Sequence, residues 1–170
     1  ENTANPAFHR QTTGPEILSD FASSRLDYWV MGWGTGGTLT GAGRVIKAAR
    51  PETKIIACEP AGAALLGGSD WKPHKIQGWA PDFVPAVLDR TVCDEVMTVA
   101  DDRAIASARD LGRLEGIFCG ISGGATFAAA LDVAAKASEG SVILAMLPDT
   151  GERYLSTPLF EGVETGSDAI

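Results

Sequence analysis

Cysteine, histidine and positive charge are all scarce in this sequence, and each scarcity excludes something. The 170 residues hold three cysteines, Cys58, Cys93 and Cys119. They are widely spaced with no C-x-x-C pair, so neither a disulfide framework nor a zinc site is signalled. Reduced thiols in a cytoplasmic setting are the expectation. The two histidines, His9 and His74, are far apart in sequence, which argues against a histidine-based metal site; no metal is expected. Lysine and arginine total 14 against 22 acidic residues, a net charge of −8. That excludes nucleic acid as a main partner, but it leaves room for a local anion pocket. No apolar run approaches the ~18 residues of a membrane span, so no membrane partner is expected. The opening "ENTANPAFHR" has no basic-then-apolar leader pattern. Repeats and low-complexity linkers are absent as well.

What is present is an alternation of strand and helix signals. "TTGPEILSDF" reads as a short helix with Pro15 in its first turn. "DYWVMGW", "KIIACEP", "DEVMTV", "IFCGIS" and "SVILAML" read as short buried strands. Between them, Thr38 to Arg50 places Leu39, Ala42, Val45, Ile46 and Ala49 on one helical face, and Pro51 stops that helix. Asp101 is expected to cap a helix that runs to Glu115 and ends at Gly116. "GATFAAALDVAAKAS" reads as a helix of small residues. Residues 61–89, rich in Gly, Pro, Trp and Lys, read as a long loop of the kind that often carries function. The pattern predicts an α/β fold: a parallel sheet flanked by helices over residues 1–162. Residues 163–170 have no helix or strand period and are expected to form a mobile tail. In such sheets ligands sit beyond the C-terminal strand ends, where the corners Gly32–Gly37 and Gly120–Gly124 are expected.

"GWGTGGTLTG" (Gly32 to Gly41) is the most chemical stretch. Gly32, Gly34 and Gly37 satisfy G-x-G-x-x-G between a strand and a helix, and Glu59 closes the next strand where a dinucleotide fold places its ribose acid. Thr35 and Thr38 suggest a different use. With glycine N–H groups and a helix N-terminus, their hydroxyls would cup one phosphate ester. A tight structural turn accounts for the same residues. Locally, all three readings stand.

The motifs "NPAFHRQTTGPEI", "GTGGTLTG", "KPHKIQG", "GISGGA" and "LPDTGERYLST", in that order, decide among them. Together they resemble the cysteine synthases, or O-acetylserine sulfhydrylases, of the β-family (fold type II) pyridoxal-phosphate enzymes. The resemblance runs from Asn5 to Phe160, and cystathionine β-synthase shares much of it. It implies the larger, C-terminal domain of a two-domain enzyme, with pyridoxal 5′-phosphate as cofactor. Gly34, Thr35, Gly36, Gly37 and Thr38 match the family's phosphate-binding loop. Ser122 matches the residue that hydrogen-bonds the pyridine nitrogen; a hydroxyl leaves that nitrogen largely unprotonated and favours β-elimination and replacement. Gln77, Gly78 and Trp79 match the substrate entrance. The implied reaction replaces the acetate of O-acetylserine by sulfide, giving L-cysteine. The implied partners are the missing N-terminal portion, a second copy in a homodimer, and serine acetyltransferase.

Several departures qualify these implications. The family reads S-S-G where this chain has Ser122-Gly123-Gly124, which predicts a more flexible corner. It reads I-G-A-G-F where this chain has "WAPDF", Trp79 to Phe83, predicting a stiffer, bulkier and more acidic entrance or mere loop drift. The Ser-x-Lys-x-Arg motif that carries the Schiff-base lysine is absent, as is the Thr-Ser-Gly-Asn loop that grips the substrate carboxylate. Lys75 reads as a loop cation rather than that lysine, His74 as a satisfied polar neighbour, and Glu152 with Arg153 as an ion pair or anchor. No catalytic residue is therefore assigned in this chain, and the fragment alone is expected to be inactive. A start without methionine favours a cut longer chain over a natural short form, and a non-catalytic binding module is the alternative. The terminal "SDAI" resembles the acidic, isoleucine-closed ends of serine acetyltransferases, which suggests a self-inserting tail.

Overall fold

A computed structural model describes residues 2–163; the expectations for the "SDAI" tail lie outside the described residues. The elements follow in the order α1 (Ala4–Gln11), α2 (Thr13–Asp20), β1 (Tyr28–Gly32), α3 (Gly37–Ala49), β2 (Lys54–Pro60), β3 (Glu95–Val99), α4 (Asp101–Glu115), α5 (Ile121–Ala134) and β4 (Ile143–Ala145). The four strands form one parallel sheet in the order β3-β2-β1-β4. This is the α/β architecture expected from the alternating pattern.

Strand periodicity divides the core into two layers. From β1 and β2, Trp29, Met31, Ile55 and Ala57 join Leu39, Ala42 and Ile46 of α3 on one face. Val30, Ile56 and Cys58 point the other way, to Ala104, Ala108 and Leu111 of α4 and to the alanines of α5. Successive side chains of a strand face opposite sides, so burial of both faces explains why these strands read as continuous apolar runs. Small residues let α4 and α5 approach closely: a Cβ on Gly124 would lie 2.3 Å from the Ala104 carbonyl oxygen.

Three expectations are corrected. "IFCGIS" is not a strand. Cys119 makes one isolated antiparallel bridge to Thr150, and Ile121 already begins α5, with Gly120 as its N-cap. Ser122 therefore lies inside the first helical turn, and the Gly123–Gly124 corner is ordered helix rather than a flexible bend; a Cβ on Gly123 would sit 3.0 Å from the Cys119 side chain. Ala100, not Asp101, occupies the N-cap of α4, because the Asp101 carboxylate instead accepts the Lys75 backbone N–H at 2.8 Å. Helix α1 was not anticipated, since Pro6 and the polar run around it mask its period. "SVILAML" contributes only Ile143–Ala145 to the sheet. Among the described residues, no helix is long and apolar enough to cross a membrane.

Candidate active site

The β1–α3 junction is built by glycines that no other residue could replace. Gly36, the N-cap of α3, has φ +80, a conformation that L side chains rarely adopt. A Cβ on Gly34 would meet the Gly78 carbonyl oxygen at 2.1 Å, and one on Gly32 would fall 1.8 Å from the Trp79 ring. The loop therefore brings bare backbone to the start of α3. The first N–H groups of a helix have no intrahelical acceptor, and the helix dipole adds partial positive charge there.

Two hydroxyls flank these amides, and α1 holds both. Asn5 Nδ2 donates to Thr35 Oγ1 at 2.9 Å. Thr38 Oγ1 lies 3.0 Å from His9 Nε2, and His9 Nδ1 lies 2.9 Å from Thr13 Oγ1. Asn5 and His9 are four residues apart, on one helical face. Burial holds the His9 imidazole below its usual pKa.

The cup opens into a cavity of about 530 Å³ at the C-terminal ends of β1 and β4. Gly34, Thr35, Thr38, Gln77, Gly78, Trp79 and Ser122 all line it. Gly36 and Gly37 are buried in the turn beneath. Every site residue read from the sequence is thus in the cup, on the cavity wall or in the supporting turn. Ser122 is 3% exposed, and its carbonyl, not its hydroxyl, accepts from Thr126.

Four participants were not read from the sequence. Asn5 and His9 support the cup from α1. Asp149 and Tyr154 close the opposite side: Tyr154 O–H donates to Asp149 Oδ2, while buried Asp149 Oδ1 has no partner. Burial first, then this carboxylate, pushes the Tyr154 phenol up to about 12. Their signals in the sequence are "NPAFHRQTT" for Asn5 and His9 and "PDTGERY" for Asp149 and Tyr154.

Other candidates fall elsewhere. Glu59 is fully buried and accepts the Leu66 and Gly67 N–H groups, each at 2.9 Å, so it is spent on a loop and not free for a ribose. Lys75 does not line the cavity. His74 is only half satisfied: Nε2 reaches the Ala80 carbonyl at 3.3 Å, and Nδ1 has no partner. Among the described residues, no ion pair joins Glu152 to Arg153; the Thr150 hydroxyl holds the Glu152 carboxyl below its usual range. The described residues contain no metal-ligating cluster.

The Trp79–Phe83 segment, expected at the entrance, is pinned at its start. Trp79 is 7% exposed, packed on Gly32, and lines both the cup cavity and an outer apolar pocket of about 610 Å³. Ala80 follows with φ +35. It is held there by its N–H to the Trp33 carbonyl at 2.9 Å and by Trp71 Nε1 donating to its carbonyl at 2.9 Å.

Known proteins share this fold. The model of the family described as "Pyridoxal-phosphate dependent enzyme" matches residues 1–149. The chain is 58% identical over 168 residues to an O-ureido-L-serine synthase of Streptomyces lavendulae, covering 99% of this chain and 52% of that protein. It is 42% identical over 160 residues to a cysteine synthase of Staphylococcus aureus, covering 94% and 52%. The crystal structure of an O-ureido-L-serine synthase superimposes with a TM-score of 0.96 at 58% identity, over 99% of this chain and 53% of the other. An O-acetyl serine sulfhydrylase of Entamoeba histolytica gives 0.90 at 39% identity, over 98% and 49%. The chain spans about half the length of the relatives it matches.

Proposed function

Because the chain belongs to the family of pyridoxal-phosphate dependent enzymes, we propose that it forms the phosphate-binding and ring-nitrogen side of a β-replacement active site. The observation that carries this reading is the convergence of the Gly34–Thr38 cup and Ser122 on one cavity. The residues fit the cofactor. Gly34 leaves bare backbone on the cavity wall, Gly36 makes the positive-φ turn that starts α3, and the Thr35 and Thr38 hydroxyls add donors to the amides of α3. A dianion at a helix N-terminus is favoured by both hydrogen bonding and the dipole. When bound, pyridoxal phosphate supplies the electron sink that lets a β-substituent leave and another enter.

The chain's own residues then have separate roles. The cup anchors the phosphate. Ser122 offers a hydroxyl to the ring nitrogen, which orients the ring without fixing a proton on it. Gln77, Gly78 and Trp79 border the substrate entrance, where the Trp79 indole packs over Gly32. The covalent lysine is assigned to a part of the full-length protein outside this sequence. In this reading the full-length protein is a cytoplasmic homodimer that acts on a small O-acylated serine.

The incoming nucleophile distinguishes two readings. Higher identity to the O-ureido-L-serine synthase, 58% against 42%, favours an oxygen nucleophile of the hydroxyurea class. The resemblance to cysteine synthases favours sulfide, with serine acetyltransferase as a partner. The test incubates the full-length protein and pyridoxal phosphate with O-acetylserine and either hydroxyurea or sulfide, followed by mass spectrometry. O-ureido-L-serine as the faster product supports the first reading; cysteine as the faster product selects the second. No β-replacement product with either would overturn both.

A further inference from the structure

We propose that His9 is a positioning residue for the phosphate cup: its Nε2–H donates to Thr38 Oγ1 and thereby turns the Thr38 hydroxyl hydrogen toward the bound phosphate. The inference rests on the reading of the cup given above and assigns that site a support from a different helix.

The donors around His9 fix its tautomer. A neutral imidazole has one N–H donor and one acceptor nitrogen, and the partner of one nitrogen fixes the role of the other. His9 sits between two hydroxyls, Thr13 on Nδ1 at 2.9 Å and Thr38 on Nε2 at 3.0 Å. If Nδ1 carried the proton, it would donate to Thr13, and Nε2 would accept the Thr38 hydrogen. Thr38 would then present only lone pairs to the cup, which repel a phosphate oxygen. If Nε2 carries the proton, Thr13 donates to Nδ1 and Thr38 accepts from Nε2. The Thr38 hydrogen is then free for the anion. A bound phosphate therefore selects the second tautomer. Burial, which lowers the His9 pKa, keeps the ring in the neutral form to which this choice applies.

A second contact on the same helix follows the same logic. Asn5 Nδ2 donates to Thr35 Oγ1 at 2.9 Å, leaving the Thr35 hydrogen unspent. Both cup hydroxyls thus accept from α1 and keep their hydrogens for the cavity. Thr13, His9 and Thr38 all line that cavity, so the relay borders the cofactor space directly.

The test uses the full-length protein and pyridoxal phosphate as the probe. Equilibrium binding is measured for the wild type, His9→Gln and His9→Met, and the His9 tautomer is read by long-range ¹H–¹⁵N spectra with cofactor bound. Gln can still donate an N–H to Thr38, whereas Met cannot. The expected results are a protonated Nε2 with an unprotonated Nδ1, an affinity near wild type for His9→Gln, and a loss of about tenfold or more for His9→Met. Wild-type affinity in His9→Met, or a proton on Nδ1 in the bound state, would overturn the inference and leave the cup reading standing. Failure of the wild type to bind pyridoxal phosphate would overturn the cup reading, and this inference with it. If His9→Met does not fold, the tautomer and the His9→Gln affinity decide.

Discussion

Thr38 carries the most chemistry per atom in the cup. It stands in the first turn of α3, its oxygen engages His9, and its hydrogen faces the cavity. Thr38→Ala in the full-length protein is expected to weaken pyridoxal-phosphate binding by ~1.5–3 kcal/mol, the worth of a hydrogen bond to a charged group. Equilibrium dialysis checks this, and unchanged retention would make the loop structural only. The glycines and threonines here were legible in the sequence because an anion-binding turn is a local device: its donors are consecutive residues. Asn5 and His9 were not legible, because they act across 30 and 29 residues of chain. Asp149 and Tyr154 both lie in "LPDTGERYLST", but their meeting and the unpartnered carboxylate oxygen depend on a tertiary packing that spacing does not reveal.

Among the elements, the Trp79–Phe83 segment, expected at the entrance, departs from the family pattern. Trp79 fills the space over Gly32, and Ala80 takes a left-handed backbone where the family pattern has glycine. Such a conformation costs an L residue about 1–2 kcal/mol, while glycine carries an entropic cost of its own. Ala80→Gly is therefore expected to raise unfolding stability by ~0.5–1 kcal/mol. Denaturant titration checks this, and a clear loss of stability would show that the methyl packing outweighs the strain. The predicted stiffness and bulk thus have a structural basis in Trp79 and in the pinned Ala80, while Asp82 is simply exposed.

The edge strand β4 depends on an acidic latch. Asp27 Oδ2 accepts the Val142 N–H at 2.8 Å, and Arg25 pairs with Oδ1 at 2.6 Å. The Val142 N–H first, then Arg25, holds the Asp27 carboxyl below its ordinary 3.8. A carboxyl with a depressed folded-state pKa stabilises above the ordinary value and loses that contribution as pH falls through the lower, folded value. Asp27→Asn should thus be less stable than wild type at neutral pH, and the gap should narrow toward about pH 3. Thermal melts across that range check the sign; a gap that widens in acid would contradict it. "IFCGIS" was misread at this same scale, because a short apolar run bounded by glycine fits a strand and a helix start equally well. Tertiary contact decided it, when Gly120 took the cap of α5.

At the scale of the whole molecule, the alternating pattern was enough to read a parallel α/β sheet, since both sheet faces must be buried and the sequence shows it. Phe8, Phe83, Leu131 and Leu155 are largely exposed on the described surface, from 49% to 63%, and the relatives are about twice as long. A chain of residues 1–170 alone is expected to show no β-replacement activity. Measurable product from O-acetylserine with the purified chain and pyridoxal phosphate would contradict that.

In the proposed reading this chain supplies the cup for the cofactor phosphate and the partner of its ring nitrogen. The most direct measurement is a crystal structure of the full-length protein with pyridoxal phosphate. The phosphorus is expected among the Gly34–Thr38 amides and hydroxyls, with the ring nitrogen at Ser122 Oγ. A phosphate bound elsewhere, or a ring nitrogen remote from Ser122, would contradict it.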